Sequence, residues 1–173
     1  MSVTFSPDSK YICVGGEDDM IHIYSLSSTD LKLLARGQGH NSWINKVIFD
    51  PHPTSSLSYS IYSVGQDGNL CIWEFSPEFP ITRQRRSSLL SSSGGLSTST
   101  NDIIIPVNSS TIVVPTLLNK DIQIIDPQIQ MCVLLDPLTD ILICDKYLIL
   151  CGGEGSIKVF MRQQNRNQIK NVS

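Results

Sequence analysis

Along this chain, apolar and polar positions alternate in short runs, and each run stops at a cluster of Gly, Pro, Asn, Asp or Ser. Alternation of period two between turn formers predicts strands. The first set falls at 2–6, 11–15, 20–26 and 31–36, with Pro7-Asp8-Ser9-Lys10 and Glu17-Asp18-Asp19 as turns. A second set covers 43–49, 61–64 and 70–75, with Gln66-Asp67-Gly68-Asn69 between the last two. Composition then shifts. Residues 76–101 hold Pro77, Pro80, a basic run at 83–86 and a Ser-rich tract. Such a segment is too polar to bury a face and predicts a disordered insertion. β-branched runs resume at 102–107, 111–114 and 121–125, and a run at 130–135 is expected to be the outer strand of that unit. The last unit is predicted at 141–144, 147–151 and 156–162, and the polar tail 163–173 is expected to fray.

These units repeat. Gly39-His40 precedes the strand at 43–49, and Asp67 stands four residues after Ser63 and six before Trp73. That is the order of a WD repeat, with Glu74 in the place of the second letter of the name. In such a blade the Asp side chain accepts from the His, the His meets the Ser hydroxyl, and the hydroxyl reaches the Trp N–H. His40, Ser63, Asp67 and Trp73 are therefore expected to form a buried structural set. At the matching positions the first unit has Val14, Asp18 and Tyr24, the third Asn119 and Ile125, the last Glu154 and Phe160. Residues 147–154 (YLILCGGE) echo 11–18 (YICVGGED). A four-stranded blade does not bury both its faces alone. The predicted fold is all-β: a partial WD-repeat β-propeller of about four blade-like units, the first incomplete for want of a Gly-His upstream. The expected organisation is blades over 1–75 (first partial, second complete), a disordered insertion over 76–101, two degenerate blades over 102–162 and a polar tail over 163–173. So few blades read as the later part of a longer propeller.

Composition narrows the function. A chain of 173 residues has room for one domain. The net charge of −3 gives no basic face for nucleic acid. Apolar runs are broken too often to span a membrane, and the first residues, MSVTFSPDSK, lack the pattern of a signal peptide. The five cysteines stand singly with no Cys-x-x-Cys, which predicts reduced, buried thiols in a cytoplasmic protein that also reaches the nucleus.

His, Ser and Asp together invite a hydrolase reading. Ser63 has no Gly-x-Ser-x-Gly elbow around it, and a buried network denies a nucleophile its substrate. His22 and His52 lack metal-ligand spacing to His40 or to any Cys pair. Gly15-Gly16 and Gly152-Gly153 precede acidic turns and make no phosphate loop. The expectation is a non-enzyme with no cofactor and no small-molecule substrate, acting through a protein partner. In an up-and-down meander, successive connections alternate between two ends, so the Gly-His loop (37–43) and the turn at 66–69 share one end. Trp43 is the candidate anchor there, with Asn41, Ser42, Gln66, Glu17 and Asp19 as rim residues. The alternative is that Trp43 folds down as packing. In the insertion, Arg85 stands three residues before Ser88, which makes Ser88 a candidate phosphosite for a basophilic kinase.

The stretches PDSKYICVGGEDD, ARGQGHNSW…VIFDP and SVGQDGNLCIWE resemble one WD family in particular. It comprises the animal WD repeat-containing protein 20, the myotonic dystrophy WD-repeat protein and the fungal catabolite repression protein creC. Its GGEDD turn, GHGH-S-W segment and SVGQD-x-x-L-C-x-W repeat are matched here by 15–19, by 37–43 with Gln38 in place of a His, and by 63–73. The family also carries a long Ser-rich insertion after this repeat. The resemblance implies a non-catalytic cofactor that binds and activates a ubiquitin-specific protease, on a chain corresponding to the C-terminal half. A general WD-repeat scaffold or adaptor with another protein partner is the alternative.

Overall fold

The computed structural model describes residues 1–26, 30–52, 57–77 and 122–162, with the backbone of 169–171. All its regular structure is strand. β1 (Ser2–Phe5), β2 (Tyr11–Gly15), β3 (Met20–Leu26) and β4 (Leu31–Gln38) form an antiparallel meander. β5 (Ile44–Phe49), β6 (Tyr59–Gly65) and β7 (Asn69–Phe75) form a second. β8 (Gln123–Ile125) lies parallel to β4 at the edge of the first sheet. β9 (Ile129–Cys132) pairs antiparallel with β7 and completes the second. The third sheet is β10 (Leu138–Ile143), β11 (Tyr147–Gly152), β12 (Ile157–Arg162) and β13 (Ile169–Asn171).

The sheets stack as blades because each is apolar on both faces. In β3 the alternate residues Ile21 and Ile23 are fully buried, and with Cys13 and Ala35 they pack on Phe49, Ile61, Trp73 and Phe75 of the second blade. The other face of the second blade, with Val64, Leu70 and Ile72, packs on Ile141, Leu148, Leu150 and Phe160 of the third. Gly15 allows one close approach: a Cβ there would lie 2.6 Å from Ile44 Cγ2 and 2.8 Å from Val47 Cγ1.

Inner strands are tied across the blades. The Val47 amide donates to Ser2 Oγ at 3.2 Å, and Asn45 Nδ2 donates to the Leu138 carbonyl at 2.7 Å. Asp8, in the β1–β2 turn, accepts from Ser6 Oγ and from the Tyr59 hydroxyl of the second blade. Desolvation raises the Asp8 carboxyl, but hydrogen bonds from Ser6, Tyr59 and Lys10 outweigh it and hold it below the usual carboxylate range. Asp50, buried after β5, pairs with Arg162 of β12, whose Nη1 also donates to the Cys144 carbonyl at 2.9 Å.

Three differences from the sequence reading concern edges. The run at 130–135, expected to close a unit built from 102–125, instead supplies β9 to the second blade, and only 129–132 are strand. The end of the run at 121–125 becomes β8 on the first blade. Residues 78–121, which hold most of the expected insertion (76–101) and the runs at 102–107 and 111–114, lie outside the described residues; the described residues form three blades. The polar tail contains β13, which pairs with β12. The first blade has four strands of its own; it lacks the polar set, since Val14 and Tyr24 hold the Ser and Trp positions. The cysteines also diverge. Cys13 and Cys71 are buried, Cys144 and Cys151 half-buried, and Cys132 exposed on the edge strand β9. Burial pushes the Cys71 thiol up to about 12 and that of Cys13 higher still.

Candidate functional site

The second blade brings four polar side chains together from separate strands and loops. His40 comes from the loop after β4, Ser63 from β6, Asp67 from the β6–β7 turn and Trp73 from β7. His40 Nδ1 lies 3.0 Å from Asp67 Oδ1, and its Nε2 lies 2.8 Å from Ser63 Oγ. The Trp73 indole donates to the same Oγ at 2.9 Å. One placement of hydrogens satisfies every atom: Trp73 N–H donates to Ser63, the Ser63 hydroxyl donates to Nε2, and Nδ1–H donates to the carboxylate. Asp67 also accepts from the amides of Asn41 at 3.0 Å and Asn69 at 3.1 Å, and from Asn69 Nδ2 at 2.9 Å. Desolvation raises this carboxyl, but the Asn41 amide, His40 and the Asn69 amide outweigh it and hold its pKa below the ordinary value.

The network resembles a catalytic triad in residue types and not in access. Ser63 is fully buried, and its oxygen is held between the His40 ring and the Trp73 indole. A nucleophile must meet a carbonyl from outside, and this oxygen has no such face. Among the described residues, no group of three or more His, Cys, Asp and Glu is placed to hold a metal ion. The indole itself fills a slot left by glycine: a Cβ on Gly37 would lie 2.8 Å from Trp73 Cζ3, and one on Gly39 3.0 Å from Cη2. In the first blade, Asp18 at the equivalent position pairs with His22 instead, at 3.3 Å.

The set holds one end of the molecule in shape. The Ile44 amide donates to the Gly16 carbonyl and the Gln66 amide to the Trp43 carbonyl, both at 2.9 Å. These bonds place the turn at 16–19, the loop at 39–43 and the turn at 66–69 side by side. Trp43 belongs to neither buried cluster and is 47% exposed. Asn41, Gln66 and Glu17 are exposed around it, while Ser42 and Asp19 are half-buried. Asp19 has a left-handed backbone (φ 61°) where the second and third blades have Gly68 and Gly155 (φ 69° and 82°). Ser88 lies outside the described residues.

Two features of this end escape sequence reasoning. The loop at 133–137 joins it, because the Val133 amide donates to the Gly68 carbonyl and the Gly153 amide to the Pro137 carbonyl, each at 2.9 Å. Leu135, expected inside a strand, stands 98% exposed in that loop. The signal was present in Leu134-Leu135-Asp136-Pro137, where an Asp-Pro turn ends the strand early. Across 16–19, 39–43, 66–69, 133–137 and 153–156 the charged residues are Glu17, Asp18, Asp19, Asp67, Asp136 and Glu154, with no Lys or Arg. The end is acidic, with two exposed apolar side chains.

Comparison with known proteins agrees with this geometry. Residues 1–25 and 31–74 match the family described as WD domain, G-beta repeat. UBP9-binding protein bun62 of Schizosaccharomyces pombe is 50% identical over 74 residues, which make up 43% of this chain and 13% of that protein. The chain therefore spans a small part of the length of the curated relative it matches. The matched repeats cover β1 to β7, the greater part of the first two sheets, strand-only and stacked face to face: the chain carries WD repeats, folded as blades of a partial β-propeller.

Proposed function

We propose that this chain is a non-catalytic WD-repeat subunit that binds and activates a ubiquitin-specific protease, through the end that carries Trp43. The reading is supported by 50% identity over 74 residues to a protein whose name records binding to UBP9. Local chemistry is consistent with it. A protein-binding surface needs a desolvatable anchor in a rim that fixes orientation. Trp43 is half-exposed, held by its own carbonyl through the Gln66 amide, and set among acidic turns. The complementary surface is apolar at its centre and basic around it. Regulation through Ser88 and residence in cytoplasm and nucleus belong to the same proposal.

The test is calorimetric titration of the chain with UBP9, alongside cleavage of a fluorogenic ubiquitin substrate. Saturable binding with a raised cleavage rate is expected. Binding without a change in rate would overturn the activator role, and no binding would overturn the choice of partner in favour of a general scaffold.

A further inference from the structure

A single exposed apolar side chain on a protein surface is ordinary. Two that flank one turn are not scattered. Trp43 is 47% and Leu135 98% exposed, and the loops that carry them both hang on the turn at 66–69. On one side, the Gln66 amide donates to the Trp43 carbonyl at 2.9 Å. On the other, the Val133 amide donates to the Gly68 carbonyl at 2.9 Å and the Leu134 amide to the same oxygen at 3.4 Å. Leu134 turns inward onto the core between the second and third blades, where a Cβ on Gly152 would lie 2.8 Å from its Cδ1, and its neighbour Leu135 is left to solvent. Pro137 restricts the backbone of Asp136 before it, and its carbonyl accepts from the Gly153 amide at 2.9 Å. Leu135 is thus held on a short loop tied down at both ends, so little conformational freedom remains to be lost when something covers it.

Each apolar side chain has its own carboxylates. Glu17 and Asp19 sit on the turn that the Ile44 amide ties to the loop of Trp43. Asp136 follows Leu135, and Glu154 lies on the turn bonded to Pro137. Among the described residues, no Lys, Arg or His pairs with any of these carboxylates. Lys10 and Lys146 lie in turns at the opposite end, between β1 and β2 and between β10 and β11. The chain also leaves the described fold away from this end, at Pro77 beyond β7, and returns along β8, which runs parallel to β4 toward it. Two such acidic ends repel each other, so a second copy does not fit face to face.

We infer that the occupant is a segment of the partner polypeptide with apolar side chains on either side of a Lys or Arg. It lies across the turn at 66–69, with one apolar side chain on Trp43 and another on Leu135. The inference rests on the partner-binding end proposed above and adds to it a second anchor, Leu135, and the sign of the partner's charge. The cation settles among carboxylates that have no cation of their own at this end. The apolar side chains lose water against two surfaces already in place.

The experiment is fluorescence polarisation with two short labelled peptides, one alternating leucine with arginine and one alternating leucine with glutamate. Each is titrated with the unaltered chain and with Leu135→Ser, Trp43→Ala and Glu154→Gln. The arginine peptide should bind and the glutamate peptide should not. Leu135→Ser and Trp43→Ala should each weaken binding at least about tenfold, with an unchanged circular dichroism melt for Leu135→Ser. Glu154→Gln should make the affinity less sensitive to salt. Equal binding of the two peptides, an affinity indifferent to Leu135→Ser or to Trp43→Ala, or an unchanged salt dependence in Glu154→Gln overturns the inference. Binding that emerges only when Arg83, Arg85 and Arg86 are replaced by Ala assigns the surface to this chain's own basic run and also overturns it. UBP9 should displace the arginine peptide. Failure to displace it rejects UBP9 as the partner, while the peptide results still uphold the basic, apolar segment.

Discussion

Replacing Asp67 with Ala removes the acceptor on which four donors converge: His40 Nδ1, the amides of Asn41 and Asn69, and Asn69 Nδ2. These are not equal losses. Asn41 is exposed and its amide finds water, whereas the His40 side chain is wholly buried and its ring N–H is stranded. A hydrogen bond to a charged group contributes about 1.5–3 kcal/mol, and with the Asn69 amide partly buried the net cost is about 3 kcal/mol. At about 2–4 °C per kcal/mol for a chain of this size, the melting temperature should fall by about 6–12 °C. Asp67→Asn keeps one accepting oxygen for His40 but turns an amide donor toward the other donors, so it should recover part of the loss at most. The pH dependence has a definite sign. Asp67 is held below its ordinary value, so its contribution is complete above the unfolded carboxylate range near about 3.9. It is lost as pH falls through the lower folded value. Circular dichroism melts at neutral pH and through that acid window, for the unaltered chain and Asp67→Ala, are the assay. The two curves should converge as the solution becomes more acidic. A shift below about 1 °C at neutral pH, or a gap that widens in acid, would refute the reasoning.

Gly68→Ala should cost more than ordinary backbone strain, because φ is 69° and its Cβ would lie 2.0 Å from the Leu134 carbonyl oxygen. Failure to accumulate as folded protein is the expected readout. Asp19→Gly, at the equivalent position with φ 61°, should leave the melt unchanged or raise it. Arg162→Ala strands the buried Asp50 carboxylate between the second and third blades, and breaking such a pair costs about 3–5 kcal/mol. Because Arg162 keeps some solvent contact, urea melts should show the lower end of that range. An unchanged midpoint would mean that Asp50 finds water instead.

The inner strands were legible because their alternation and their turns are local. The spans 11–15 and 20–26 coincide with β2 and β3, and the positions of His40, Ser63, Asp67 and Trp73 follow from repeat spacing alone. Edge strands were not. β9 reads as a strand, but nothing local says that it pairs with β7, from which it is separated by the whole insertion. Its register is set by distant contacts, the Gln128 amide on the Ile72 carbonyl and Gln130 Nε2 on the Gly39 carbonyl. Parallel pairing of β8 with β4 has no turn to announce it. The Asp50–Arg162 pair joins residues 112 positions apart, beyond the reach of any motif. At the end that carries Trp43, that residue was visible as a lone aromatic in a polar loop. Leu135 was absorbed into a strand that ends three residues earlier, at Cys132.

The central claim is that the buried polar set maintains the blade while recognition belongs to the exposed end beside it. Its most direct test is titration of UBP9 into Trp43→Ala and Asp67→Ala, with a melt of each protein. Trp43→Ala should weaken binding at least about tenfold, as expected for an aromatic anchor worth about 2 kcal/mol or more, and move the melting temperature by no more than about 2 °C. Asp67→Ala should melt lower and, well below its melting temperature, bind with unchanged affinity. A Trp43→Ala protein that melts much lower and binds as tightly as the unaltered chain would contradict the account.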